Sequence, residues 1–162
     1  GNTDPARTYV SVPCEIIHAG GKVVFAPGGG TTLRGAYVLQ GSHVIDSALR
    51  FTASMYIPGF FMCCSFTGPY KHLKLGKGGC ILTDNKDAAE WFRRARYSGR
   101  RPVSYHEDHF DMLGWNYYMN PIISELGLLL IQQFYKDGER LDNPDLELPY
   151  PDLSKMPAYA NV

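Results

Sequence analysis

No run in this chain approaches the roughly 18 consecutive apolar residues that a membrane-spanning helix requires. The opening GNTDPARTYV also lacks the charged and apolar regions of a signal peptide. Both absences predict a soluble chain with no membrane partner. An excess of one charge is missing as well. Lys plus Arg and Asp plus Glu number 16 each, so no overall field draws the protein toward nucleic acid. The four cysteines, Cys14, Cys63, Cys64 and Cys80, show no metal-ligand spacing, and three of them lie in apolar segments where a reduced thiol packs as a small hydrophobe. The expectation is a reducing compartment, the cytoplasm, without a disulfide framework. No internal repeat is present. The chain opens on Gly1 rather than Met, as a partial sequence does.

What is present is enough apolar material for one core, 44% of 162 residues. TYVSV (8–12) and KVVF (22–25) read as strands around EIIHAGG, a short helix or turn, which predicts a β-α-β unit. APGGGTTLRG (26–35) is turn chemistry, followed by the short strands AYVL (36–39) and HVID (43–46). FFMCCSF (60–66), bounded by Gly and Pro, is short enough to read as a buried strand, and GCILTD (79–84) is the next. Then DNKDAAEWFRRARYSG offers Asp84 or Asn85 as N-cap and Gly99 as stop for an amphipathic helix. Asn120-Pro121 opens a second helix, apolar nearly all round, which points to burial on several sides and to a subunit interface. From Asp137 onward the Pro-, Asp- and Leu-rich tail predicts an extended or loosely ordered segment.

Three readings compete for the loop SFTGPYKHLKLGKGG (65–79). LGKGGC has no Ser or Thr after its lysine and leads into a strand, which excludes a Walker A phosphate cradle. GGGTTLRG opens no helix, so the dinucleotide-binding fingerprint fails too. A lysine nucleophile must be partly desolvated to carry a neutral amine, and Lys71 lies nearest the buried strand. Residue chemistry alone still favours three solvated lysines, Lys71, Lys74 and Lys77. Asp46, ending HVID, has three open roles: an ion pair with Arg50, a cap for a helix beginning SALRF, or a contact to a cofactor. The pair His106 and His109 has no second ligand cluster to make a metal site.

Taken in order, TYVSVPCEIIHAGGKVVF, VIDSALRF, SFTGPYKHLKLGKGGCILTDN, ARYSGR and GWNYYMNPIISELGLL resemble the DegT/DnrJ/StrS family of sugar aminotransferases. That family uses pyridoxal 5'-phosphate (PLP), has fold type I, and aminates nucleotide-linked keto sugars for polysaccharide biosynthesis. The resemblance covers about residues 8–131 and implies a truncated or minimal version of the family. It implies an α/β fold, an αβα sandwich like part of the large domain, with a mostly parallel sheet of short strands over residues 1–136. Residues 137–162 would then be the tail.

The same resemblance makes Lys71, in Lys71-His72-Leu73, the Schiff-base lysine and general acid/base. Asp46 becomes the carboxylate that keeps the pyridine nitrogen protonated, although a gapless match to the family's VIEDAA pattern puts Ser47 there. Tyr9 takes the place of the ring-stacking aromatic and Ser65 that of a phosphate contact. Asn116 matches an asparagine given to the neighbouring subunit's phosphate, which implies a homodimer with shared sites. An amino-acid amino donor and a nucleotide-sugar substrate follow from the same likeness. A second reading is a reduced remnant that binds or assembles without turnover, since the family's Gly-Ser/Thr helix start and small C-terminal domain have no counterpart among these motifs.

Overall fold

The structure, a computed structural model, describes residues 2–6, 8–26, 35–136 and 150–160. Its first unit is a small parallel β-α-β: strand β1 (Asn2–Thr3), helix α1 (Ser11–His18) and strand β2 (Val24–Phe25), with Thr3 opposite Phe25. The unit matches the expected order, but TYVSV is not its first strand. Ser11 and Val12 open α1, and Pro13 falls in its first turn, where a missing N–H leaves no intrahelical bond unmade. Local β-propensity gave way to this helix start, because strand preference depends on available neighbours.

The main sheet has β3 (Tyr37–Val38), β4 (Val44–Asp46), β5 (Phe61–Ser65) and β6 (Gly79–Leu82), side by side in that order. It is mixed, which corrects the expectation of a mostly parallel sheet: β4 and β5 run parallel, whereas β3–β4 and β5–β6 are antiparallel. Connection length explains the difference. Residues 39–43 are too few for a crossover, so β3 and β4 form a hairpin, while residues 47–60 give β4 and β5 room to lie parallel. Residues 66–78 contain no helix and fold straight back, leaving β6 antiparallel to β5.

Alternation along the strands sorts side chains onto two faces. Ile45 and Met62, both fully buried, face a core that includes Ala36, Cys64, Phe66, Leu73 and Leu75. Burying a side chain of this size stabilises by about 1.5–3 kcal/mol. Helix α3 (Pro121–Lys136) supplies Ile123, Leu130 and Ile131 to that core. Gly127 permits the approach, because a Cβ there would sit 2.9 Å from Leu75 Cδ1. Ile122, Leu126, Leu128 and Leu129 are exposed instead, so α3 is buried on one side only.

The opposite sheet face meets helix α2 (Lys86–Ala95) through an edge-to-face contact of Phe61 with Phe92 at 5.8 Å. Asn85 is the cap, its side chain accepting a 2.9 Å hydrogen bond from Ala88 N–H. Past the helix end, Gly99 has φ +80° and a Cβ there would lie 1.9 Å from Met112 O, so both conformation and space demand glycine.

Most of the glycine-rich turn at 26–35 and residues 137–149 of the tail lie outside the described residues. Residues 150–160, expected to be extended, make two 3-10 turns, Leu153–Lys155 and Pro157–Tyr159, which dock on the N-terminal unit. Leu153 N–H donates to Pro5 O at 3.1 Å and Tyr159 Oη to Val10 O at 3.1 Å. Among the described residues no helix is long and apolar enough to cross a membrane.

Candidate active site

Asp46 is the end of β4, directly opposite Tyr37 on one side and Cys63 on the other. Because Ile45 and Met62 point into the core, Asp46, Tyr37 and Cys63 share the other face. Burial pushes the Asp46 carboxyl above the ordinary carboxylate range, against the pull of Ala48 N–H, the Tyr37 hydroxyl and the Lys71 ammonium. Ala48 N–H donates to Oδ1 at 2.8 Å and Tyr37 Oη to Oδ2 at 2.9 Å. Of its roles read from sequence, the cap takes an altered form. Asp46 closes a turn over residues 47–50, completed by Arg50 N–H donating to Ser47 O at 3.0 Å, and no helix follows. Ser47 is fully buried and its Oγ has no hydrogen-bond partner among the described residues.

Lys71 comes to this carboxylate from the loop after β5. Phe66 before it, and Leu73 and Leu75 after it, are all drawn into the core. Leu75 N–H donates to Phe66 O at 3.1 Å, which closes the loop and presents Lys71 between its apolar anchors. Half-burial lowers the Lys71 amine below the ordinary lysine value, and the charge of Asp46 raises it part of the way back. Lys74 and Lys77 are exposed. The loop therefore separates one partly desolvated amine from two solvated ones.

Around this pair are hydroxyls that residue patterns alone did not flag. Burial first and the Asp46 charge second hold the Tyr37 phenol well above its usual range, while the Thr8 and Thr3 hydroxyls bond to it. Thr3 and Thr8, both buried, also bond to each other. Tyr150, from the C-terminal turns, is pushed up by burial, by Asp46 and by Tyr9. Its ring meets Tyr9 edge-on at 6.0 Å, so Tyr9 joins the cluster through Tyr150. Strand alternation in AYVL hints at Tyr37 facing away from Val38, but nothing local signals Tyr150. Cys63, next to Asp46, is pushed up to about 11 by burial and that carboxylate, which keeps it a neutral thiol.

The other two expected residues are placed separately. Ser65 ends β5 opposite Gly79, and its Oγ accepts from Thr67 N–H at 3.3 Å. Asn116 bridges to Tyr97 beyond α2, flanked by Trp115 N–H donating to Ala95 O at 2.6 Å and Tyr117 N–H to Arg96 O at 2.8 Å. The interactions that join Lys71, Asp46, Tyr37, Tyr150 and Tyr9 do not extend to either.

An amine that holds its proton less firmly than an ordinary lysine, within electrostatic reach of a buried, hydrogen-bonded carboxylate, is equipped for attack on a carbonyl and for local proton transfer. The same two groups fit an aldehyde-bearing pyridine cofactor: the amine suits the aldehyde and the carboxylate suits a protonated ring nitrogen. A family model described as the DegT/DnrJ/EryC1/StrS aminotransferase family matches residues 58–139. Searches of curated proteins and of solved structures returned no match.

Proposed function

Since the chain belongs to the DegT/DnrJ/EryC1/StrS aminotransferase family, we propose that it acts as a PLP-dependent aminotransferase, moving an amino group from an amino-acid donor to a nucleotide-linked keto sugar. The observation that carries the reading is that the half-buried Lys71 lies within electrostatic reach of the buried Asp46 carboxylate: the matched segment supplies the amine, and a strand outside that segment supplies the carboxylate. When bound, PLP supplies an electron sink for proton transfer at the carbon bearing the amino group. Lys71 would bind the aldehyde and carry protons to and from that carbon. Asp46 would hold the ring nitrogen's proton, a role that the buried Ser47 hydroxyl cannot fill because it bears no charge. Tyr9 would cover the ring, and Ser65 would take the phosphate.

Asn116 would reach the phosphate in a neighbouring subunit, which requires a homodimer. The exposed apolar side of α3, with Ile122, Leu126 and Leu129, supports that assembly, because such a row is more often an interface than a solvated surface.

The test is to add PLP, record the visible absorption, trap the covalent adduct with borohydride and map it. The adduct is expected on Lys71, and Lys71→Ala should lose both the absorption and the mapped peptide. Because the Lys71 amine is lowered, its labelling should climb with pH below the ordinary lysine midpoint. No adduct on Lys71 overturns the cofactor reading. An adduct without transamination of sugar nucleotides would instead establish a remnant with a binding or assembly role.

A further inference from the structure

We infer that Tyr37 is a positioning residue of this site: its hydroxyl, braced by Thr3 and Thr8 and donated to Asp46 Oδ2 at 2.9 Å, orients the carboxylate and keeps it ionised beside Lys71. The inference rests on the proposed aminotransferase reading for its consequence, but its geometry does not depend on bound PLP.

Tyr37 and Asp46 are direct cross-strand partners on the antiparallel β3–β4 hairpin, so backbone pairing delivers the hydroxyl to the carboxylate. An ionised carboxylate can only accept, so the Tyr37 hydroxyl must donate. With its proton spent on Asp46, the Tyr37 oxygen is left to accept from one threonine; because Thr3 and Thr8 bond to each other, one of their two hydroxyl protons is used between them, and the chain runs from threonine to threonine to tyrosine to carboxylate. Thr3 and Thr8 are buried, so water does not compete for these bonds, and each bond in such a chain polarises the next. Ala48 N–H holds the other carboxylate oxygen at 2.8 Å. Both oxygens are therefore fixed, and the remaining acceptor capacity is left for a cation.

Among the described residues, the titratable groups that interact with Asp46 are Tyr37, Lys71, Cys63, Cys64 and Tyr150. Cys63, Cys64 and Tyr150 donate no hydrogen bond to the carboxylate, and Lys71 acts on it through its charge. Tyr37 is thus the side chain that supports the ionised form without competing for the same role.

Tyr37→Phe deletes the hydroxyl and keeps the ring. In the full chain without PLP, the Asp46 carboxyl midpoint is followed by NMR in the parent and the variant. The variant is expected to titrate at higher pH, because a bond to the ionised form has been lost. Thr8→Val, which removes one brace at similar volume, should move the midpoint the same way by less and serves if Tyr37→Phe does not fold. PLP affinity, read by absorption, should fall about tenfold in Tyr37→Phe, as expected for one bond to a charged group. Combined with Asp46→Asn, the tyrosine change should cost nothing further. An unmoved Asp46 midpoint, or additive losses in the double variant, would overturn the positioning role. If PLP does not bind the parent at all, the aminotransferase reading fails while the NMR midpoint still decides the role of Tyr37.

Discussion

The segment from Phe61 to Ala95 and the segment from Asn2 to Phe25 reach order by different means. In the first, β5 and β6 share four cross-strand pairs, Met62 is fully buried, and α2 carries its own cap at Asn85. In the second, β1 and β2 share two pairs, and α1 has Val10 as its N-cap with no side-chain cap bond. Its packing comes from far along the chain, through Leu153 and through Tyr159, whose ring meets Phe25 at 5.6 Å. One segment is ordered by its own neighbours and the other by a distant clasp. The proposed site straddles them, with Lys71 from the locally ordered part and Tyr9 and Thr8 from the clasped part.

Three changes would break or sharpen this contrast. Met62→Ala should destabilise the whole fold by about 2–5 kcal/mol, since the cavity opens where β5 meets the core; chemical denaturation measures it. Leu153→Ala should cost about 2 kcal/mol, at the low end because its surroundings can partly collapse. Hydrogen exchange should place that loss in residues 2–25, with β5 and β6 still protected. Equal loosening of both segments would mean that they are one cooperative unit and that the contrast is false. Asn85→Ala should have the smallest effect, about 1 kcal/mol, from removal of one cap bond, and should speed exchange at the start of α2 alone.

Legibility from sequence follows the same division. The strands at 61–65 and 79–82 and the helices beginning at 86 and 121 were readable, because period, caps and flanking Gly or Pro are local signals. The start of α1 at Ser11 was not, because the β-branched residues of TYVSV read as a strand. Strand direction also escaped. The parallel expectation for the main sheet depended on how connections fold back, which composition does not encode.

For the site, Lys71 stood out as the lysine nearest a buried strand and as the residue matching the family's lysine, while Asp46 had three local roles and Ser47 competed with it. Burial of the Ser47 hydroxyl and exposure of the Asp46 side of β4 to Lys71 distinguish the two positions in space. Tyr37 and Tyr150 were out of reach, since one depends on hairpin register and the other joins the cluster from more than a hundred residues beyond Asp46.

By itself, then, the sequence determined the α/β alternation, a cap at Asp84 or Asn85, the breaks at Pro121 and Gly99 and the family, because each is written in residues close together. Only the tertiary structure decided which carboxylate acts on Lys71, that Tyr37 donates to that carboxylate, and that the turns at 153–159 clasp the N-terminal unit. Those outcomes depend on strand register and long-range docking, where burial changes the charge state of a group according to what the fold brings beside it.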